Sequence, residues 1–121
     1  MTTTSLIDNL EKLLGGPRDG ALLRYSLGSE HLRAGNPAQA AVCLREAVER
    51  DGNHSAAWKL LGRALSESNQ PGEALAAYEE GIAVAKRRGD VQAAKEMLVF
   101  ARRLRRQLAA TEDQAATASP P

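Results

Sequence analysis

Residues 58–65 read Trp58-Lys59-Leu60-Leu61-Gly62-Arg63-Ala64-Leu65. Sliding the chain by 34 residues places Leu27-Gly28 on Leu61-Gly62, Pro37 on Pro71, Ala40 on Ala74 and Glu46 on Glu80. Similar residues fall between these: Val48 meets Ile82, Leu44 meets Tyr78, Ala47 meets Gly81 and Gln39 meets Glu73. A period of 34 is that of a helix–turn–helix unit, repeated here twice. A glycine inside a helix costs up to ~1 kcal/mol against alanine, so Gly28 and Gly62 need a packing reason. With Ala40, Ala47, Ala74 and Gly81 they supply the small surfaces at which paired helices cross closely.

Punctuation sets the boundaries. Asn36-Pro37 and Gln70-Pro71 each put proline at a first helical position, where its missing N–H costs nothing. Paired helices are thus expected over about 19–34 and 37–50, then 54–68 and 71–87. Before them, Leu6, Ile7, Leu10, Leu13 and Leu14 line one face of a helix of about three turns. Ser5 and Asp8 form its capping pair, and Gly15-Gly16-Pro17 stops it. After Gly89, Asp90 can cap a longer helix to about residue 110, with Val91, Ala94, Leu98, Ala101, Leu104 and Leu108 near one stripe. The expected organisation is a capping helix in 1–16, repeats in 17–53 and 54–88, a second capping helix in 89–110, and a frayed Ala-, Thr- and Pro-rich tail in 111–121.

The residues carry a family resemblance. Trp58, Leu61, Gly62 and Leu65 resemble the W-x2-L-G-x2-Y signature of the first helix of a tetratricopeptide repeat, with Leu in the Tyr place. Ala74, Tyr78 and Gly81 occupy the family's places in the second helix. In the first copy Leu27, Gly28, His31, Ala40, Leu44 and Ala47 fill the same slots, with Arg24 in the Trp place. The resemblance spans about residues 21 to 88 and departs at Arg50-Asp51-Gly52-Asn53, where the family usually has Asp-Pro. It implies an all-α fold of about six helices, antiparallel pairs stacked as a short right-handed superhelix, and a protein–protein interaction role.

Totals agree with that architecture. The 121 residues suit one domain. An aromatic share of 3% favours helix-on-helix packing over a sheet. The net charge of +1 predicts no global pull toward nucleic acid or anionic lipid. Met1 to Asn9 lacks a basic, apolar leader, and no apolar run approaches ~18 residues, so neither a secretory signal nor a membrane span is expected, and a cytoplasmic location is. Cys43, the single cysteine, points to a reducing compartment and a packed side chain.

No chemistry-bearing constellation stands out. His31 and His54 lie far apart, Glu79-Glu80 has no evident acid–base partner, and no phosphate-cradling loop or nucleophile elbow is present. Catalytic residues, cofactor and metal are therefore expected to be none, and the chain is not expected to be an enzyme.

Two surfaces are candidates for binding. In the family the first helix of each repeat lines the concave groove, which places Leu22, Tyr25, Ser29 and Leu32 there, with Ala56, Lys59, Arg63 and Ser66. Lys59 and Arg63, four apart, share a helical face and suit a carboxylate. They resemble half of the clamp that holds chaperone C-termini, but Tyr25 and Ser29 stand where its other half would be. A basic, partly aromatic groove for an unidentified protein or peptide is expected instead. The alternative is the segment 86–106, where Lys86, Arg87, Arg88, Lys95, Arg102, Arg103, Arg105 and Arg106 make up eight of the sixteen basic residues. It suits an acidic surface or nucleic acid, but Phe100 alone is interleaved, so base stacking has little support. Weak self-association through uncovered apolar stripes is the third expectation.

Overall fold

A computed structural model describes residues 5–118. Among them are six helices: α1 (Leu6–Glu11), α2 (Ala21–Arg33), α3 (Pro37–Arg50), α4 (Ser55–Glu67), α5 (Pro71–Arg87) and α6 (Val91–Ala118). The fold is all-helical, as the residue pattern predicts.

Each boundary has a local cause. Ser5 Oγ accepts the Asp8 N–H at 3.1 Å and starts α1. That helix is shorter than its apolar pattern suggests, because the chain turns from Lys12 onward and Gly15 adopts a left-handed φ of 81°. Between α2 and α3 the left-handed residue is Gly35, φ 80°, and the matching position between α4 and α5 holds Asn69, φ 61°. The Asn36 and Gln70 N–H groups then close the same turn onto the carbonyls of His31, 2.8 Å, and Leu65, 2.9 Å. Pro37 and Pro71 start α3 and α5. His54 caps α4 with Nδ1, which accepts the Ala57 N–H at 3.0 Å.

The last helix departs from expectation. The residues from 111 onward were expected as a frayed tail, yet α6 continues through Ala118; residues 119–121 lie outside the described set. Residues 111–118 carry three alanines with Glu112 and Gln114, good helix formers that let α6 run on past the two threonines.

Packing follows chain order: α2 on α3, α3 on α4, α4 on α5 and α5 on α6. In addition α2 touches α4 and α4 touches α6, whereas the backbones of α3 and α5 stay further apart and are bridged by the side chains of Arg45 and Glu73, 4.0 Å from each other. The helices α2, α4 and α6 therefore line the inner, tighter side of the stack. This makes α6 the positional counterpart of a repeat's first helix, without a second helix behind it. A continuous core of Leu44, Ala47, Leu61, Leu65, Ala74, Tyr78, Ala85, Met97, Ala101 and Leu104 runs through the stack. A smaller cluster of Leu23, Leu27 and Cys43 is covered by Ile7, Leu10 and Leu13.

The small residues sit where the crossings demand them. A Cβ on Gly28 would lie 2.7 Å from Leu44 Cδ2, and one on Gly62 2.7 Å from the Tyr78 ring. A Cβ on Gly81 would lie 2.5 Å from Met97 Sδ and 2.8 Å from Trp58 Cβ.

Candidate functional site

The first-helix positions expected in the groove do not form one continuous surface. Leu32 is buried in the core. It belongs to the same buried cluster as Leu44 of α3 and Leu61 and Leu65 of α4. Leu22 is 72% exposed. Tyr25 is half-buried and lies against the His54 ring, centroids 4.6 Å apart. With Ser29, Ser26, Glu30, Leu6 and Leu10 it lines a shallow depression of about 310 Å³ beside α1.

A larger cleft opens further along the inner side, between α4 and α6. It measures about 600 Å³ and is lined by Lys59, Leu60, Arg63, Ser66, Glu67, Tyr78, Phe100 and Arg103. Its floor is aromatic: Tyr78 and Phe100 stack with centroids 5.4 Å apart and planes 24° from parallel. Burial pushes the Tyr78 phenol up to about 12, so it is neutral in the physiological range. The Arg103 guanidinium carbon sits 6.0 Å from the Phe100 ring centroid.

The rim cations are partly committed. Lys59 Nζ pairs with Glu96 across the α4–α6 gap. Arg63 Nε donates to Glu67 Oε2 at 2.7 Å. The Lys59 hydrogen bond holds the Glu96 carboxyl below its ordinary value, helped by Gln92. Ser66 and Ala56 are exposed on the same helix. Lys59, Arg63 and Ser66 were anticipated for this surface. Glu96, Phe100 and Arg103 were not. They recur at i, i+4 and i+7 on α6, one face of a helix, and the signal was hidden because that helix lacks the Trp/Leu-Gly pattern.

The basic segment is not one stripe. Arg103 belongs to the cleft, Arg105 pairs with Glu79 of α5 at 3.0 Å, and Arg87 and Arg88 reach Asn53 in the α3–α4 turn. Arg102 and Arg106 are exposed on α6. Among the described residues no group of three His, Cys, Asp or Glu side chains could hold a metal ion. No helix among them is long and apolar enough to cross a membrane.

At the first repeat, Arg24 fills the Trp place with a charge network. It bonds both Asp19 oxygens, 2.9 and 2.8 Å, and Glu46 Oε2 at 2.9 Å. Trp58, at the same place in the second copy, donates Nε1–H to the Gly52 carbonyl at 2.9 Å.

A sequence profile described as "Tetratricopeptide repeat" matches residues 25–86. The chain belongs to the tetratricopeptide repeat family. A curated relative, "TPR repeat-containing protein PA0015" of Pseudomonas aeruginosa, is 46% identical over 101 residues, covering 84% of this chain and 96% of that protein. The solution structure of protein BPP2914 from Bordetella parapertussis is similar at a TM-score of 0.76 and 36% identity, over 92% of this chain and 96% of that one. A tetratricopeptide repeat domain protein from Salinibacter ruber matches at a TM-score of 0.65 and 27% identity, over 73% and 88% of the two chains. The crystal structure of MamA shares the fold alone, at a TM-score of 0.61 and 19% identity, over 86% of this chain and 69% of that one. Members of this family are typically protein–protein interaction modules without catalytic activity, and protein partners follow in general terms.

Proposed function

We propose that this tetratricopeptide protein is an adaptor that holds an extended segment of a partner protein on its inner face, centred on the cleft between α4 and α6. The observation that carries this reading is the cleft itself. An aromatic floor of Tyr78 and Phe100 meets a cationic wall of Arg63 and Arg103 within about 600 Å³. Pockets of this size and mixed character suit one anchoring side chain plus a few oriented polar contacts. Arg103 makes no ion pair among the described residues, so its charge is available to a carboxylate. The preferred segment carries an aromatic or aliphatic residue next to Asp or Glu. Tyr25 and Ser29, in the separate depression beside α1, offer a second contact toward the first repeat.

A nitrogen-15 NMR titration with an acidic peptide carrying one central Phe tests this. Shifts at Lys59, Arg63, Phe100 and Arg103 are expected, and Arg103→Ala should weaken binding. Shifts restricted to α3 and α5 would overturn the assignment. The nucleic-acid alternative has less support, since Arg105 is paired with Glu79, Arg87 and Arg88 reach Asn53, and Arg103 lines the cleft.

A further inference from the structure

The last helix leaves one side uncovered. Helix α4 is held between α3 and α5, but α6 packs on α5 and touches α4 only along the inner edge. On its outer side, between the end of α5 and the start of α6, runs a second groove of about 270 Å³. Ile82, Val91, Ala94 and Leu98 form its walls, and Val91 is 62% exposed. Lys86 and Lys95 stand on its rims. Successive helical residues turn by 100°, so Val91, Ala94 and Leu98 share one side of α6, roughly opposite Glu96, Phe100 and Arg103. The groove is thus separate from the inner cleft.

Its shape and charge both indicate an occupant. In each repeat a second helix packs against the first, α3 on α2 and α5 on α4; at α6 that place is vacant of any described residue. A helix fits the vacancy. The charges select which helix. Arg24, Arg45, Lys59, Arg63 and Arg105 each lie within 4.0 Å of a carboxylate. Lys86, Lys95 and Arg102 make no ion pair among the described residues, and no acidic side chain lines the groove. A second copy fits poorly. Two copies meeting groove to groove across a two-fold axis would bring Lys86 and Lys95 toward their own counterparts with no acidic side chain lining either groove, a like-charge arrangement that destabilises.

We infer that this outer groove docks an amphipathic helix of a partner protein, its apolar stripe flanked by Asp or Glu. The helix stands where the second helix of a third repeat would stand. Its Leu, Ile or Val residues at i, i+3 or i+4 and i+7 enter the groove, while its carboxylates meet Lys86 and Lys95.

The probe is a synthetic helical peptide of about 20 residues, with a Leu stripe at helical spacing flanked by Glu. A counterpart with Lys replacing Glu and a scrambled peptide serve as controls, and all three are titrated into the full chain. The acidic helix should bind and shift the methyl resonances of Ile82, Val91 and Leu98, leaving Phe100 and Arg103 unmoved. Lys86→Glu with Lys95→Glu, both on exposed positions, should weaken it by about tenfold without lowering the thermal midpoint. Leu98→Ser should weaken it independently of charge. Equal binding of the Lys-flanked or scrambled peptide would overturn the proposal, as would shifts centred on Phe100. A concentration-dependent dimer in sedimentation that protects Leu98 would give the groove to a second copy instead. Binding to phosphatidylserine vesicles, with none to the acidic helix, would give it to a lipid surface.

Discussion

Arg24 grips both oxygens of Asp19, through Nε at 2.9 Å and Nη2 at 2.8 Å. The carboxylate also accepts the Gly15 N–H at 2.9 Å, so one ion pair ties the α1–α2 connection to the body of the first repeat. Arg24 reaches α3 as well, through Glu46. The second repeat does the equivalent work with an indole: Trp58 is anchored to Gly52 and packed over Gly81. Two chemically unlike residues thus serve one structural place, each fastening the preceding loop to its own helix pair.

The Asp19 pair has a pH signature. The Arg24 hydrogen bond, then the Gly15 N–H, lower its carboxyl from 3.8 to about 2. A depressed folded-state value means the contribution is fully present above the unfolded value and is lost as pH falls through the folded one. Wild-type stability should therefore decline between about pH 4 and pH 2 more steeply than that of Asp19→Asn. At neutral pH Asp19→Asn should be the less stable protein, and the gap should close toward pH 2. Urea midpoints measured across this range check it; parallel curves would show that the fork contributes nothing.

The two first-helix glycines answer to overpacking. Gly62→Ala gains up to ~1 kcal/mol in helix propensity but drives a methyl group into the Tyr78 ring, which overpacking costs of ~1–3 kcal/mol outweigh. The ring cannot yield freely, because Phe100 is stacked on it. Gly62→Ala and Gly28→Ala should both lower the thermal midpoint. Gly72→Ala, with nothing within 4 Å of its Cβ, should be neutral or slightly stabilising. Scanning calorimetry of the three variants distinguishes close packing from a general intolerance of alanine.

Much of this fold was legible in the chain because its strongest signals are local. Pro37 and Pro71 fix two helix starts, and the shared spacing of Gly28 and Gly62 with Leu44 and Tyr78 fixes the crossings. The site was legible only in part. Lys59 and Arg63 could be placed on the inner face by register, and Glu67 lies four residues past Arg63 on the same helix, but Glu96, the partner of Lys59, comes from α6 and no single-helix pattern assigns it. Leu32 was misplaced because the first copy's inner and core-facing positions are both apolar, and periodicity does not separate them. Phe100 was missed, and Arg103 was assigned to the basic segment and not to the cleft, because α6 takes a first-helix position without the motif that marks one.

The Lys59–Glu96 pair predicts a gain of function. Glu96 neutralises the one lysine on the cleft wall, so Glu96→Gln releases that charge toward an incoming carboxylate. Affinity for an acidic peptide should rise severalfold in Glu96→Gln and fall in Lys59→Ala, with the rise suppressed by 0.5 M salt, where screening shortens to a few ångströms. Isothermal titration at two ionic strengths measures both. An unchanged affinity in Glu96→Gln would place the peptide away from this cleft.

The short helix α1 covers a thiol, and that can be read chemically. Cys43 is buried beneath Leu10, Leu13 and Ile7, and burial pushes its thiol up from 9.0. Both features suppress the reactive thiolate at neutral pH, so reaction with a disulfide reagent requires the cover to open. Leu10→Ser with Leu13→Ser removes apolar cover while leaving the main core of α3 to α6 untouched. A loss of ~1.4 kcal/mol in local opening energy raises the reaction rate about tenfold. Stopped-flow thiol titration at pH 8 should show this acceleration while the α-helical circular dichroism stays close to wild type. An unchanged rate would mean that Cys43 becomes accessible only when the repeats themselves unfold, and that α1 contributes no independent cover.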